Sequence, residues 1–207
     1  MERYLEHLKR KILSYTHVEE QFLTSQVQHY ERVQLKKGDT LVIPGKKVAY
    51  FYYLAAGCVC YYKMEEGETK VLEFYTEDVF FTDLLSYVNE VPSNHYLKAV
   101  EPTLVFGIKK VDAERLFDGS HQLERFGRLS MQEAFLKLFT RVERMSIRSN
   151  EERYLRLLEK RPDLFQRVPN YLIASYLGMT PVGLSKLRKR LSNSSRAILN
   201  QNDKVNT

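Results

Sequence analysis

Tryptophan is absent from this chain, cysteine occurs only twice, and proline six times in 207 residues. Two cysteines exclude a disulfide framework, and a four-thiolate zinc or iron–sulfur site needs more sulfur than the chain supplies. Cys58 and Cys60 stand two apart in an apolar, aromatic stretch, where a strand would point both to one face, poorly placed to bond each other. They read as small core residues. No apolar run approaches the length of a membrane span, and the opening MERYLEHLKRKILSY is charged throughout, without the apolar core of a secretion signal. A cytoplasmic protein with no membrane partner is expected. Glycine-rich phosphate loops and nucleophile elbows are missing, and His7, His17, His29, His95 and His121 are scattered, so no catalytic residue, metal site or cofactor is expected. Glu65, Glu66 and Glu68 crowd together, but beside Gly67 they read as a solvated hairpin turn.

What is present is charge of one sign in one place. From Asn150 to Thr207 there are eleven Lys and Arg against five Asp and Glu, while the rest has twenty-one of each, so the entire net charge of +6 lies in the last quarter. That is the footprint of a nucleic-acid-binding module joined to a neutral one. Within it, PNYLIASYLGMTPVGLSKLRKRLS (169–192) has helix-turn-helix spacing. Ile173 and Leu177 are four apart, Leu184 and Leu187 three apart, so each half lays an apolar stripe on a helix. Between them Gly178 can take the positive φ that ends a helix, Thr180 can cap the next, and Pro181 suits its first position. Ala174 is small enough for two helices to meet closely. The outward face of the second helix carries Val182, Ser185, Lys186, Lys189 and Arg190, suited to phosphates and base edges.

Upstream, residues 2–30 show helical periodicity. Alternating, turn-punctuated pieces then run to about Lys110, among them Glu31 to Leu35, Tyr50 to Leu54, a hairpin around Gly67, Tyr96 to Val100 and Thr103 to Ile108, which suggests a sandwich or barrel-like β domain. The aromatic series Tyr50, Phe51, Tyr52, Tyr53, Tyr61, Tyr62, Phe74 and Tyr75 reads as core and interface, although aromatic-lined pockets also take apolar effectors. From Asp112 to Arg148 the chain reads as helix, with a break possible at Asp118 to Ser120. There Met131, Phe135, Leu138, Val142 and Met145 step by four, three, four and three, a coiled-coil seam, while Leu129, Leu136, Phe139 and Ile147 widen the apolar surface. One stripe can pack the β domain and the other a second subunit. Ser149 and Glu152 supply a cap for the next helix.

A β domain with Lys37-Gly38-Asp39 and Ala56-Gly57 before a strand, then a long helix, then this helix-turn-helix, resembles the cyclic AMP receptor protein/FNR (Crp/Fnr) family of bacterial transcription regulators. The resemblance implies an α+β chain: a cyclic-nucleotide-binding-like effector β-roll (jelly roll) with N-terminal helices over residues 1–118, a dimerisation helix over 119–149, and a winged-helix-like DNA-binding domain over 150–207. It implies a homodimer on a palindromic operator in double-stranded DNA and contact with RNA polymerase. In the family's register Pro181, Val182 and Lys186 fall at base-contacting positions and Thr180, Gly183 and Ser185 at phosphate or auxiliary ones, while Arg188, Lys189 and Arg190 are expected to supply general affinity.

The chain departs from the family in three places. Pro181 stands where the family has an Arg, so a different target sequence is expected. Residues 162–169 leave little room for wing strands. The nucleotide-cradling Gly-Glu and Arg-Ser pairs align with Phe81-Thr82 and Ser93-Asn94, which lack both the carboxylate for the ribose and the cation for the phosphate. We expect a regulator that does not respond to cyclic AMP, with no effector or a more apolar one. The rival expectation is a ligand-binding or scaffolding module whose basic helices serve protein contacts.

Overall fold

The computed structural model describes the backbone of residues 2–147 and 149–205, and the side chains within them except those of Glu2, Leu138, Arg141, 143–147 and 194–205. The chain divides into two compact units, Met1–Glu143 and Arg144–Thr207.

In the first unit, α1 (Glu2–Leu13) and α2 (Glu20–Gln26) precede the strands. The four-residue step from Leu8 to Ile12 puts both on one face of α1, where they are buried, and Leu23 of α2 joins them. Eight strands follow: β1 (Glu31–Leu35), β2 (Thr40–Val42), β3 (Tyr50–Ala56), β4 (Val59–Glu65), β5 (Glu68–Tyr75), β6 (Val79–Phe81), β7 (Tyr96–Ala99) and β8 (Thr103–Lys109). They form two antiparallel four-stranded sheets, ordered β1-β8-β3-β6 and β2-β7-β4-β5. Both sheets feed one core, in which Tyr53, Leu54, Val59, Leu97 and Ile108 are almost wholly buried. Each such aliphatic side chain contributes about 1.5–3 kcal/mol by leaving water. The expected antiparallel β-roll is therefore present.

Two turns set its register. Glu66 and Gly67 both take positive φ between the paired Glu65 and Glu68, the two-residue loop that matches strand twist. The acidic group is exposed in the hairpin turn as expected, and in addition Glu65 pairs with Lys63 at 2.8 Å and Glu68 with Lys70. Gly57, at φ +98°, turns β3 into β4, and a Cβ there would stand 2.4 Å from Thr103 Oγ1. Cys58 and Cys60 are buried thiols.

α3 (Leu84–Asn89) fills the interval between β6 and β7, and α4 (Lys110–Gly119) follows β8. α5 (His121–Ile147) starts after the expected break. Its first half packs on the β domain through Leu123 and Phe126, and Gly127 lets it approach α4 so closely that a Cβ would lie 2.6 Å from Phe117. From Phe135 on, apolar side chains of the helix stand in water: Phe135 is 60% exposed, Leu136 53%, Phe139 54% and Val142 57%. The two apolar stripes are thus divided along the helix as well as around it.

The second unit is helical: α6 (Asn150–Lys160), α7 (Leu164–Arg167), α8 (Asn170–Tyr176) and α9 (Pro181–Val205). Ser149 and Glu152 form the expected reciprocal capping box at the start of α6. Where the resemblance implies wing strands, residues 164–167 instead form the short α7, and no strand occurs among the described residues of this unit. Leu164 and Val168, both buried, explain this: two apolar anchors four apart favour one helical turn over an exposed ribbon.

Candidate nucleic-acid interface and effector pocket

The turn between α8 and α9 has the geometry its residues dictate. Leu177 ends α8, and Gly178 follows at φ +70°. The Met179 amide donates to the Ala174 carbonyl at 3.0 Å and the Gly178 amide to the Ser175 carbonyl at 3.0 Å, the paired bonds of a Schellman cap. Thr180 then caps α9, its Oγ1 accepting from the Gly183 amide at 3.1 Å, with Pro181 as the first helical residue. Ile173, Ala174, Leu184 and Leu187 are buried at the helix crossing. Arg153 of α6 adds a bond from Nε to the Leu177 carbonyl at 3.0 Å, satisfying an otherwise orphaned helix end.

Pro181, Val182, Ser185, Lys186, Lys189 and Arg190 are exposed on α9, Val182 at 64%. Thr180 at the cap is exposed as well, and Gly183 is half-buried. Arg190 is ion-paired with Glu151. Arg188, expected to supply general affinity, has partners within its own unit. Its guanidinium lies 5.1 Å from the Phe165 ring centre and 5.9 Å from that of Tyr154, and its Nη1 donates to Asn170 Oδ1 at 2.9 Å. Its Nε is buried with no hydrogen-bond partner among the described residues. This cation is committed to joining α9 to α6, α7 and α8. The clue was its position four residues after Leu184, on the edge of the buried stripe.

On α5, Phe135 and Phe139 stack at 6.4 Å, and with Val142 they hold one exposed face at i, i+4 and i+7. Met131 instead packs against the β-domain core, so this face begins after it. The side chains of Leu138 and Met145 lie outside the described residues.

Three of the four residues aligned with a nucleotide cradle, Phe81, Thr82 and Ser93, are turned to internal uses. Phe81 is 2% exposed and stacks on Tyr75 at 4.9 Å, with Tyr52 at 5.6 Å. Thr82 Oγ1 donates to the Tyr50 carbonyl at 2.9 Å. Ser93 is 1% exposed, and Asn94 is exposed. Sequence reasoning missed the group that organises them, Asp83, itself only 1% exposed. One carboxylate oxygen accepts from the Tyr61 hydroxyl at 3.1 Å. The other accepts from Ser93 Oγ at 2.5 Å and lies 3.2 Å from His95 Nδ1. Burial alone pushes this carboxyl up, but bonds from His95 and Ser93, the imidazole's charge and the Tyr61 bond outweigh it and hold the pKa at about 2. Asp83 occupies the position before α3 that marks helix starts, a visible signal, yet its side chain makes no cap bond and turns inward. Although Ser, His and Asp meet here, Ser93 donates to the carboxylate and not to the imidazole, and a carboxylate held at about 2 is too weak a base to activate a serine hydroxyl.

The cluster closes the β-roll interior with an anion of its own. Tyr61, Tyr75, Phe81 and His95 fill the surrounding space, with Tyr61 and His95 rings 4.9 Å apart. A separate crevice, between the N-terminal helices and α4 to α5, is lined by Ile12, Leu23, Phe51, Leu116, Phe117 and Phe126, apolar throughout these six.

Residues 32–120 match the family model of the cyclic nucleotide-binding domain. No curated protein sequence matches the chain. Among solved structures, it is similar to FixK2 from Bradyrhizobium japonicum, with 17% identity and a TM-score of 0.67, over 80% of this chain and 86% of that one. It is likewise similar to the c-di-GMP-responsive global regulator CLP of Xanthomonas campestris, with 17% identity and a TM-score of 0.68, over 86% and 93%. The sensor domain of the transcriptional regulator DNR from Pseudomonas aeruginosa aligns with 22% identity and a TM-score of 0.54, over 69% and 95%.

Proposed function

We propose that this chain, which has the fold of the Crp/Fnr regulators and a cyclic nucleotide-binding-type β domain, is a sequence-specific DNA-binding transcription regulator that acts as a homodimer and does not respond to cyclic AMP. The observation that carries the reading is the α8–α9 turn. Its Schellman cap, Thr180 cap and Pro181 start present an exposed face with Val182 in the first turn of α9 and Ser185 and Lys186 one turn further on. A helix so presented enters the major groove by its N-terminal residues. Thr180 and Gly183 serve backbone contacts, Pro181 and Val182 offer apolar contact to thymine methyls, and Lys186 reaches a guanine edge. Lys189 and Arg190 add phosphate affinity. Pro181 cannot make the two-pronged guanine contact of an Arg, so the operator differs from that of Arg-bearing relatives.

Self-association uses the exposed face of Phe135, Leu136, Phe139 and Val142, with Leu138 and Met145 continuing the seam. A stacked aromatic pair left in water supports burial against a second copy. Two-fold pairing places two recognition helices on an inverted repeat, and bound regulator then recruits or blocks RNA polymerase.

A cyclic phosphate entering the β-roll would lose hydration that only cations and amide donors restore. It would instead meet the Asp83 carboxylate, which repels it, and the packed rings of Tyr61, Tyr75 and Phe81. An effector, if one acts, is apolar. Among the described residues no helix is long and apolar enough to cross a membrane, which accords with a cytoplasmic site of action.

Fluorescence anisotropy on an operator fragment tests the reading. Affinity should fall steeply with salt on a specific duplex and exceed that for scrambled DNA by a factor of at least about a thousand. Equal affinity for both sequences would favour the scaffolding module instead.

A further inference from the structure

We infer that Tyr15 is a positioning residue for self-association: the N-terminal arm clasps α5 through a Tyr15–Glu133 hydrogen bond and so holds the exposed face of that helix ready for a second copy. The inference rests on the dimer reading above.

The arm is anchored at both ends. On the sheet side, Leu8 and Ile12 are buried in the core, and Lys11 sits 3.7 Å from Asp78, which also accepts from the Tyr53 hydroxyl at 3.0 Å. Just past α1, bonds from the Ser14 and Tyr15 amides close the chain back onto the helix end. Tyr15 is thereby set between Phe80 and Phe126, with ring centres 6.5 and 5.7 Å away and the Lys11 ammonium 5.4 Å from its own ring centre. From that seat its hydroxyl donates to Glu133. Burial, the Glu133 bond and nearby carboxylates all push the phenol's pKa upward, so it remains a proton donor through the ordinary pH range. Glu133 is held in turn by Lys137 at 2.5 Å.

The position of this clasp along α5 gives it its consequence. Leu123, Phe126 and Ser130 are buried on the β domain, Met131 is half-buried, and Glu133 receives the arm. Two residues later Phe135 is 60% exposed, and the bare face runs on through Leu136 and Phe139. The clasp is therefore the last described tether from the arm before the surface that a partner would cover. A helix allowed to tilt or fray at this point must be ordered again on association, and a helix already held does not.

Hydrogen exchange and sedimentation on the full chain test the inference. Tyr15→Phe keeps the ring between Phe80 and Phe126 and removes only the donor. Exchange of the α5 amides from 129 to 137 should rise by about tenfold, the scale expected for losing a hydrogen bond to a charged group, while exchange in β3 and β8 stays unchanged. The self-association constant should weaken by about the same factor. Glu133→Gln, which keeps an acceptor, should shift both less. Unaltered exchange in α5 would overturn the clasp, and raised exchange with unaltered self-association would overturn its role in pairing. A wild type monomeric at 100 micromolar would instead refute the dimer reading, and the exchange arm alone would then decide whether Tyr15 holds α5.

Discussion

Replacing Asp83 by Asn keeps the shape of the side chain and removes the anion on which Tyr61, Ser93 and His95 converge. An amide offers one acceptor oxygen where the carboxylate offered two, so its nitrogen must face a neighbouring hydroxyl or imidazole. The magnitude follows from linkage. The native carboxyl titrates near 2, against an ordinary 3.8, so its ionised form contributes roughly 2 kcal/mol of stability at pH 7. The sign is that of a depressed acid: the contribution is fully present above the ordinary aspartate range and is lost as pH falls through about 2. Roughly half should remain at pH 3 by the same linkage relation. In thermal unfolding, Asp83→Asn should melt roughly 5–10 °C below wild type at pH 7 for a unit of this size, and the gap should narrow at pH 3. A variant within a degree of wild type at pH 7, or a gap equally wide at both pH values, would refute the claim that this buried anion organises the β-roll interior.

Other outcomes separate the roles assigned on α9 and α5. Lys186→Ala should cost roughly 1–3 kcal/mol on the operator and relax one base position, measured by anisotropy on single-base variants; an equal loss on every sequence would make it a phosphate contact. Arg188→Gln should lower the melting temperature of the second unit through lost packing on Phe165 and Tyr154, yet leave the slope of affinity against salt unchanged, whereas a phosphate contact would reduce that slope by about one. Phe139→Glu should yield a folded monomer by sedimentation, because pairing would bury an uncompensated charge; a persistent dimer would move the interface off this face. Calorimetric titration with cyclic AMP should register no binding, and saturable micromolar binding within the β domain would contradict the filled-pocket reading.

How much of this was legible in the chain follows the range of the interactions. The α8–α9 turn could be read residue by residue because Gly178, Thr180 and Pro181 act within four positions of one another. The Glu65 to Glu68 hairpin and the Ser149 capping box are local in the same way. The three-residue strands β2 and β6 are too short to show alternation, and the six residues of α3 are too few to show helical periodicity. The Asp83 network was invisible because Tyr61, Asp83 and His95 meet only once the β-roll is closed. The contacts of Arg188 were hidden for a different reason: composition marks it as one of four cations in a row of five, and only the fold brings its guanidinium to Tyr154, Phe165 and Asn170.

The most direct measurement of the central claim is selection of bound fragments from genomic DNA by the full chain, followed by alignment of what is enriched. The account predicts an inverted repeat whose half-sites lie about 10 base pairs apart, centre to centre, or a multiple of one helical turn, with Lys186→Ala relaxing the preference at one base position of each half-site. Enrichment of no common sequence, or of a single unrepeated site bound by a monomer, would contradict it.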